Sequence, residues 1–288
     1  MSAQENAGAG DEVAAVPARS ELVVRIAAAA VLVPAALLAV WLGSWFFALF
    51  AALCGVLIVH EFFRMAVGRN EMLPVSVAAS AVVLAALAAL AMSAAVAMMI
   101  LAVGAAICFV LAQRDGRGGY AAAGVLYAGL PVAALTVLRR DEVYGLVAVL
   151  LLLCVVWATD TGAYAAGRSI GGPKLWPRIS PKKTWSGLIG GIACAAIVGW
   201  VFARFVEGAD APALALLAAA LALVSQGGDL LESSLKRRFA VKDSGTLIPG
   251  HGGAMDRLDG VIAASLLAAT IGLMRGSDMA AGAGLLIW

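Results

Sequence analysis

The sequence predicts an all-α, polytopic transmembrane helix bundle of about nine spans with its N-terminus in the cytoplasm. Three observations carry this: the composition, the lengths of the uncharged stretches and the sidedness of the basic residues. Of 288 residues only 13% are charged, while 63% are hydrophobic and the mean hydropathy is +0.97. Soluble domains carry ~25% charged residues, and no water-facing surface could be assembled from so few. The formal net charge of +2 gives no reason to expect a nucleic-acid partner; where the charges sit is the informative quantity.

Residues 1–24, rich in Ala, Gly and acidic side chains with one Pro, read as a disordered cytoplasmic tail. They lack the basic start and short apolar core of a cleaved signal peptide, so the first span is expected to stay as an anchor. Uncharged stretches then run 26–59, 74–113, 118–138, 143–159, 184–203, 211–228 and 260–274. One crossing of a ~30 Å hydrocarbon core takes ~20 residues at 1.5 Å each. The stretches of 34 and 40 residues are therefore helical hairpins, with turns at Gly43-Ser44 and Met92-Ser93. Two hairpins and five single spans make nine crossings. The last has only 15 uncharged residues with Asp259 at its rim, and the apolar tail 279–288 reads as a short interfacial piece. The expected organisation is a tail (1–24), an N-terminal transmembrane region of five spans (25–142) and a C-terminal catalytic region of four spans with two cytoplasmic loops (143–288).

Nine alternating spans can be tested against the positive-inside bias. An inside N-terminus assigns 16 of the 20 basic residues to the cytoplasm and leaves Arg139, Arg140, Arg204 and Arg275 outside. A missed span would scramble every later loop, so this split supports both the count and the orientation. Cys54, Cys108, Cys154 and Cys194 lie inside apolar spans without paired spacing; buried core positions are expected, not a disulfide framework or a zinc site. No repeat of 20–50 residues is visible.

Chemistry concentrates in two cytoplasmic loops, 160–183 and 229–259, which hold 10 of the 20 basic residues and 6 of the 18 carboxylates. Carboxylates at a membrane rim are costly to desolvate and are usually paired or ligating. Asp160 closes span six, Asp229 closes span eight, and Asp256 and Asp259 open span nine, which predicts one shared site. Asp256 and Asp259, three apart, share a helical face and could point at one cation. Around them Lys236, Arg237 and Lys242 supply positive charge. Gly250, Gly252 and Gly253 let backbone amides approach an anion at the following helix N-terminus. Carboxylates mixed with ammonium and guanidinium groups suit a magnesium-bound polyphosphate. Each basic residue alone reads equally as a solvated contact with anionic headgroups; the glycines and carboxylates are what such contacts do not need. In the other loop S-P-K-K-T, 180–184, places two lysines before span seven, with Pro181 stiffening the entry.

Other motifs exclude chemistries. No G-x-x-x-x-G-K-S/T loop is present, so this is not a standard nucleotide hydrolase. His60-Glu61 begins like a zinc-protease motif, but H-E-F-F-R lacks the second histidine at i+4. A structural pair at the end of span two is expected, with Glu61 facing the cytoplasmic site. His251, flanked by glycines, reads either as a donor to a phosphate oxygen or as a turn former.

The segment S-S-L-K-R-R-F-A-V-K-D-S-G-T-L-I-P-G-H-G-G-A-M-D-R-L-D, 233–259, resembles the signature of the phosphatidate cytidylyltransferases. Its one departure is Ala254, where a larger aliphatic is usual. D-T-G-A-Y-A-A-G, S-P-K-K-T-W-S-G and G-D-L at 228–230 are also similar to family motifs, with Ser186 standing where relatives often carry Glu or Gln. The resemblance is strong over roughly 155–260. It implies that CTP and phosphatidate give CDP-diacylglycerol and pyrophosphate, with magnesium, at the cytoplasmic face of the bacterial cytoplasmic membrane, and that the protein is a homodimer. It further implies Asp229 and Asp256 as metal ligands, with Asp160 and Asp259 nearby. Lys182, Lys183, Lys236, Arg237, Lys242, His251 and Arg257 would meet the triphosphate and the lipid phosphate, and Ser180, Thr184, Ser233, Gly252 and Gly253 would line the substrates. Two rivals remain at this point. A transporter would place ionisable groups near the bilayer midplane, whereas here they gather at one rim; a CTP-dependent polyprenol or phytol kinase would transfer the γ-phosphoryl group.

Overall fold

A computed structural model describes residues 18–68, 72–245 and 252–288, with side chains described from residue 30 onward. Long apolar stretches become helices because a backbone in hydrocarbon must satisfy its own hydrogen bonds. In chain order these are α1 (Ala18–Leu42), α2 (Ser44–Ala66), α3 (Met72–Ala91), α4 (Ala94–Ala112), α5 (Gly118–Arg139), α6 (Gly145–Ser169), α7 (Trp185–Phe202), α8 (Ala211–Arg238), α9 (Met255–Arg275) and a short α10 (Ala281–Leu286). Helices α2 to α9 are each long and apolar enough to cross a membrane; in α1 the apolar part with described side chains is Ala30–Leu42. The chain is an integral, all-α polytopic bundle, as expected.

Both hairpins break where the sequence suggested. Gly43, at φ 63°, separates α1 from α2. Ser93 starts α4 by accepting a hydrogen bond from the Val96 amide (3.3 Å), the usual service of an N-cap serine. The expected tail lies mostly in residues 1–17, outside the described residues, and α1 already begins at Ala18.

The two ends of the bundle differ in chemistry. At one end, arginines close helix C-termini, whose last carbonyls have no partner within the helix. Arg139 donates to the carbonyls of Val40 (2.6 Å) and Trp41 (3.2 Å), and Arg140 to those of Ala89 (2.8 Å) and Met92 (3.2 Å). Arg275 donates to the carbonyls of Gly284 (3.0 Å) and Ile287 (2.7 Å), and its guanidinium lies over the Trp288 ring. Three of the four arginines that the sequence reading assigns to the outside therefore have structural work. The tail 279–288 is not a free interfacial piece: α10 folds back against α9 and α6, with Ala281, Leu285 and Leu286 fully buried.

Asp141, 3% exposed, ties this end together. It accepts from the amides of Val143 and Tyr144, at the start of α6, and from the Ala283 amide of α10. Asp141→Ala leaves three amides without their partner and is expected to cost about 3 kcal/mol. The thermal midpoint in detergent should fall by roughly 6–12 °C; an unchanged midpoint would remove Asp141 from this role.

The opposite end carries the site, and here the structure differs from the expected loops. Helix α6 runs on to Ser169 and α8 to Arg238, so much of each charged segment is helix. Nothing in D-T-G-A-Y-A-A or L-L-E-S-S-L-K breaks a helix once it leaves the hydrocarbon. Helix α6 stops just before Gly171 and Gly172, both at positive φ, and Pro173. A small antiparallel hairpin follows, β1 (Lys174–Trp176) with β2 (Ser180–Thr184). It was not foreseen, since three- and five-residue strands leave no readable alternation. Helices α6 and α7 then pack closely: a Cβ on Gly162 would meet Cys194 Sγ at 2.6 Å, and one on Gly191 the Thr159 carbonyl at 2.7 Å. Small residues allow this approach, and it brings β2 over the end of α6.

Candidate active site

A cleft of about 450 Å³ opens between the end of α6, β2, the start of α7 and α8. Asp160, Arg168, Lys182, Lys183, Gln226 and Asp229 give it its polar groups. They form a chain. Gln226 Nε2 donates to Asp160 Oδ1 (3.3 Å), Lys183 Nζ donates to Gln226 Oε1 (3.0 Å), and the same ammonium pairs with Asp229 Oδ2 at 2.5 Å. Gln226, 5% exposed, is the joint: its amide can donate to a carboxylate and accept from a lysine at once.

Beyond Asp229 the chain becomes acidic. One oxygen each from Asp229, Glu232 and Asp259 lie within 4.8 Å of one another. Glu232 is 1% exposed, and among the described residues its Oε1 has no hydrogen-bond partner. Its Oε2 pairs with Lys236 Nζ at 2.8 Å, and Lys236 Nζ also meets Asp256 Oδ1 at 2.7 Å. Asp256 Oδ2 accepts from the amides of Ser244 (3.0 Å) and Gly253 (2.9 Å). A buried carboxylate oxygen without a donor is costly, and three converging carboxylates repel unless a cation lies among them. Hard oxygen donors in this arrangement fit a divalent ion such as magnesium.

The structure thus brings Asp160, Lys182, Lys183, Asp229, Lys236, Asp256 and Asp259 to one end of the bundle. Asp256 and Asp259 nevertheless face different partners. Asp256, on the first turn of α9, engages Lys236 and two backbone amides, while Asp259, one turn on, joins Asp229 and Glu232. Ser233 Oγ donates to Asp229 Oδ1 at 3.4 Å. Thr184 Oγ1 accepts from the Gly187 amide (3.1 Å) as the N-cap of α7, and its hydroxyl also contacts Ser186 Oγ. Ser186 in turn donates to the Gly171 carbonyl, tying the hairpin to the end of α6. Ser180 begins β2; Arg237, Lys242 and Arg257 are exposed. Gly252 sits at φ 82°. Gly250 and His251 lie outside the described residues.

Sequence reasoning missed Gln226 and assigned no role to Glu232. Gln226 carries no charge, so a survey of charges passes over it; its signal was a polar side chain inside span eight. Glu232 was counted only as one of the six loop carboxylates, because nothing in a segment read as loop marks one carboxylate as buried.

A sequence model of the cytidylyltransferase family matches residues 23–274. The phosphatidate cytidylyltransferase of Brucella suis biovar 1 is 42% identical over 249 residues, covering 86% of this chain and 92% of that protein. That of Bacillus subtilis is 42% identical over 143 residues, 49% of this chain and 53% of that protein, and that of Staphylococcus haemolyticus is 47% identical over 136 residues, 47% and 51% respectively. With nearly the whole bundle covered by the family match, from α1 to the end of α9, the chain belongs to the cytidylyltransferase family.

Proposed function

We propose that this protein transfers the cytidylyl group of CTP to phosphatidate, giving CDP-diacylglycerol and pyrophosphate, at the cytoplasmic face of a bacterial cytoplasmic membrane. The observation that carries the reading is the unbroken polar chain from the lysine-bearing cleft to the carboxylate cluster, at one end of an apolar bundle. A soluble triphosphate and a lipid phosphate need such a place to meet, since the acyl chains stay in the bilayer. The proposal includes a homodimer as the active form, on the motif resemblance alone.

In this reading an oxygen of the phosphatidate phosphate attacks the α-phosphorus of CTP. The new P–O bond forms as the bond to the β-phosphate oxygen breaks, and pyrophosphate carries away the electron pair. A phosphomonoester is already anionic at neutral pH, so no activated serine or general base is required; positioning and charge neutralisation suffice. Lys182 and Lys183 line the side from which the triphosphate enters, with Arg168 beside them. Asp229, Glu232 and Asp259 would hold magnesium, and Asp256 would be steadied beside them by Lys236. Bound there, magnesium would neutralise phosphate oxygens and pyrophosphate. Lys183 also keeps Asp229 in place through their ion pair.

Lys183→Ala is expected to lower kcat/KM for CTP by about 10–100-fold, the scale of one hydrogen bond to a charged group, with the protein still folded. Initial rates across CTP concentrations test this, and wild-type kcat/KM would take Lys183 out of the cleft chemistry. The reaction itself is tested with purified protein, CTP, magnesium chloride and phosphatidate. Pyrophosphate and a CDP-lipid are expected. CDP with a phosphorylated alcohol would indicate a kinase, and no CTP turnover would revive the transporter reading.

A further inference from the structure

We infer that Glu61, on α2 in the N-terminal half, is a positioning residue that fixes the start of α9 and through it Asp256. The inference rests on the reading above for its catalytic consequence, but its structural content is independent of it. Glu61 is 1% exposed, and a buried carboxylate persists only where its charge is compensated. Its Oε1 accepts from the Ala254 amide (2.8 Å), and its Oε2 from the Met255 amide (2.9 Å) and from Ser244 Oγ (2.9 Å).

Helix α9 needs this help. Its N-cap residue is Ala254, which has no side chain able to cap, and the first amides of a helix have no partner within it. Glu61 supplies two acceptors and a negative charge at the positive end of the helix. The cap that most helices take from the preceding residue is supplied here across 193 positions of sequence.

The same contact explains two glycines. A Cβ on Gly245 would lie 2.7 Å from Glu61 Oε1, and one on Gly253 would collide with Ser244 Oγ and with Glu61 Oε2. The sequence suggested that Gly253 clears space for a substrate anion. In the structure the anion occupying that space is the Glu61 carboxylate.

Coupling to the site runs through two residues. Ser244 gives its hydroxyl to Glu61 and its amide to Asp256. Gly253 gives its amide to Asp256 and packs against Glu61. Ser244 and Gly253 are held between two carboxylates, one from each half of the bundle, and Asp256 then meets Lys236. Loosening Glu61 frees the backbone donors that orient Asp256.

Glu61→Gln tests this. Glutamine has the same size, but its amide nitrogen would face a donor in place of an acceptor. The expected result is a fall in kcat of about tenfold or more, at least tenfold faster hydrogen exchange at the Ala254 and Met255 amides, and unchanged exchange in α3 and α4. In the Asp256→Asn background the substitution should have little further effect, because both act on one unit. Wild-type kcat with wild-type exchange, or full additivity with Asp256→Asn, would overturn the inference. If Glu61→Gln fails to fold, Ser244→Ala carries the test: it removes one of the three donors and should lower kcat about threefold with faster exchange at the same amides, and no change in either would overturn the inference. Should the wild type itself make no CDP-lipid, the proposed function fails while the exchange measurement still decides the role of Glu61.

Discussion

Asp229→Asn is expected to lower turnover by about three orders of magnitude with the bundle intact, the scale on which a charge-stabilising group of an active site acts. Asp229 is the one residue shared by both parts of the site. Its Oδ2 pairs with Lys183 at 2.5 Å, and it also belongs to the Asp229, Glu232 and Asp259 cluster. Asparagine keeps the side-chain volume but removes the charge that opposes Lys183 and that would hold a cation. Both substrates should feel the change, so kcat as well as KM for CTP should move. The check is steady-state kinetics on protein whose thermal midpoint matches the wild type. Turnover within about threefold of the wild type would show that the carboxylate cluster is not where the reaction is supported.

Lys236→Met is the second large effect, and it is read first as stability. The Lys236 ammonium lies between Glu232 and Asp256, whose side chains are 1% and 9% exposed. Removing it leaves two nearly buried carboxylates facing each other, with Asp229 and Asp259 close by. Breaking a buried pair by deleting one partner costs about 3–5 kcal/mol, or roughly 10 °C in thermal midpoint for a chain of this size. Changing Glu232 to Gln in the same protein removes one of the unpaired charges and should return part of that loss. A midpoint for Lys236→Met within about 2 °C of the wild type would mean that these carboxylates are balanced by something other than Lys236. Activity should fall as well, since Asp256 loses one of the groups that orient it.

How much of this was readable beforehand follows from the solvent. In a bilayer the length of an uncharged stretch states nearly everything about an element, and so both hairpin turns, at Gly43 and at Met92-Ser93, could be placed from sequence. Charge scarcity made the site legible for the same reason: Asp160, Asp229, Asp256 and Asp259 had few places to go. Helix ends were less legible. Once α6 and α8 leave the hydrocarbon, hydropathy stops reporting on them, although the backbone continues as helix to Ser169 and Arg238. Partners distant in sequence were not legible at all. Glu61 meets Ser244 across 183 positions, and nothing in H-E-F-F-R says which helix start it will cap. The divergence of Asp256 from Asp259 was hidden too, because a shared helical face does not say which partners each will find there.

In the proposed reaction a lipid phosphate attacks the α-phosphorus of CTP at this end of the bundle. This step is tested most directly by where the label goes when the purified protein is given phosphatidate, magnesium chloride and CTP labelled with ³²P at either the α or the γ position. The expected result is that α-label enters the lipid and γ-label appears only in pyrophosphate, in equal amounts. Gamma label in the lipid, with CDP released, would contradict it.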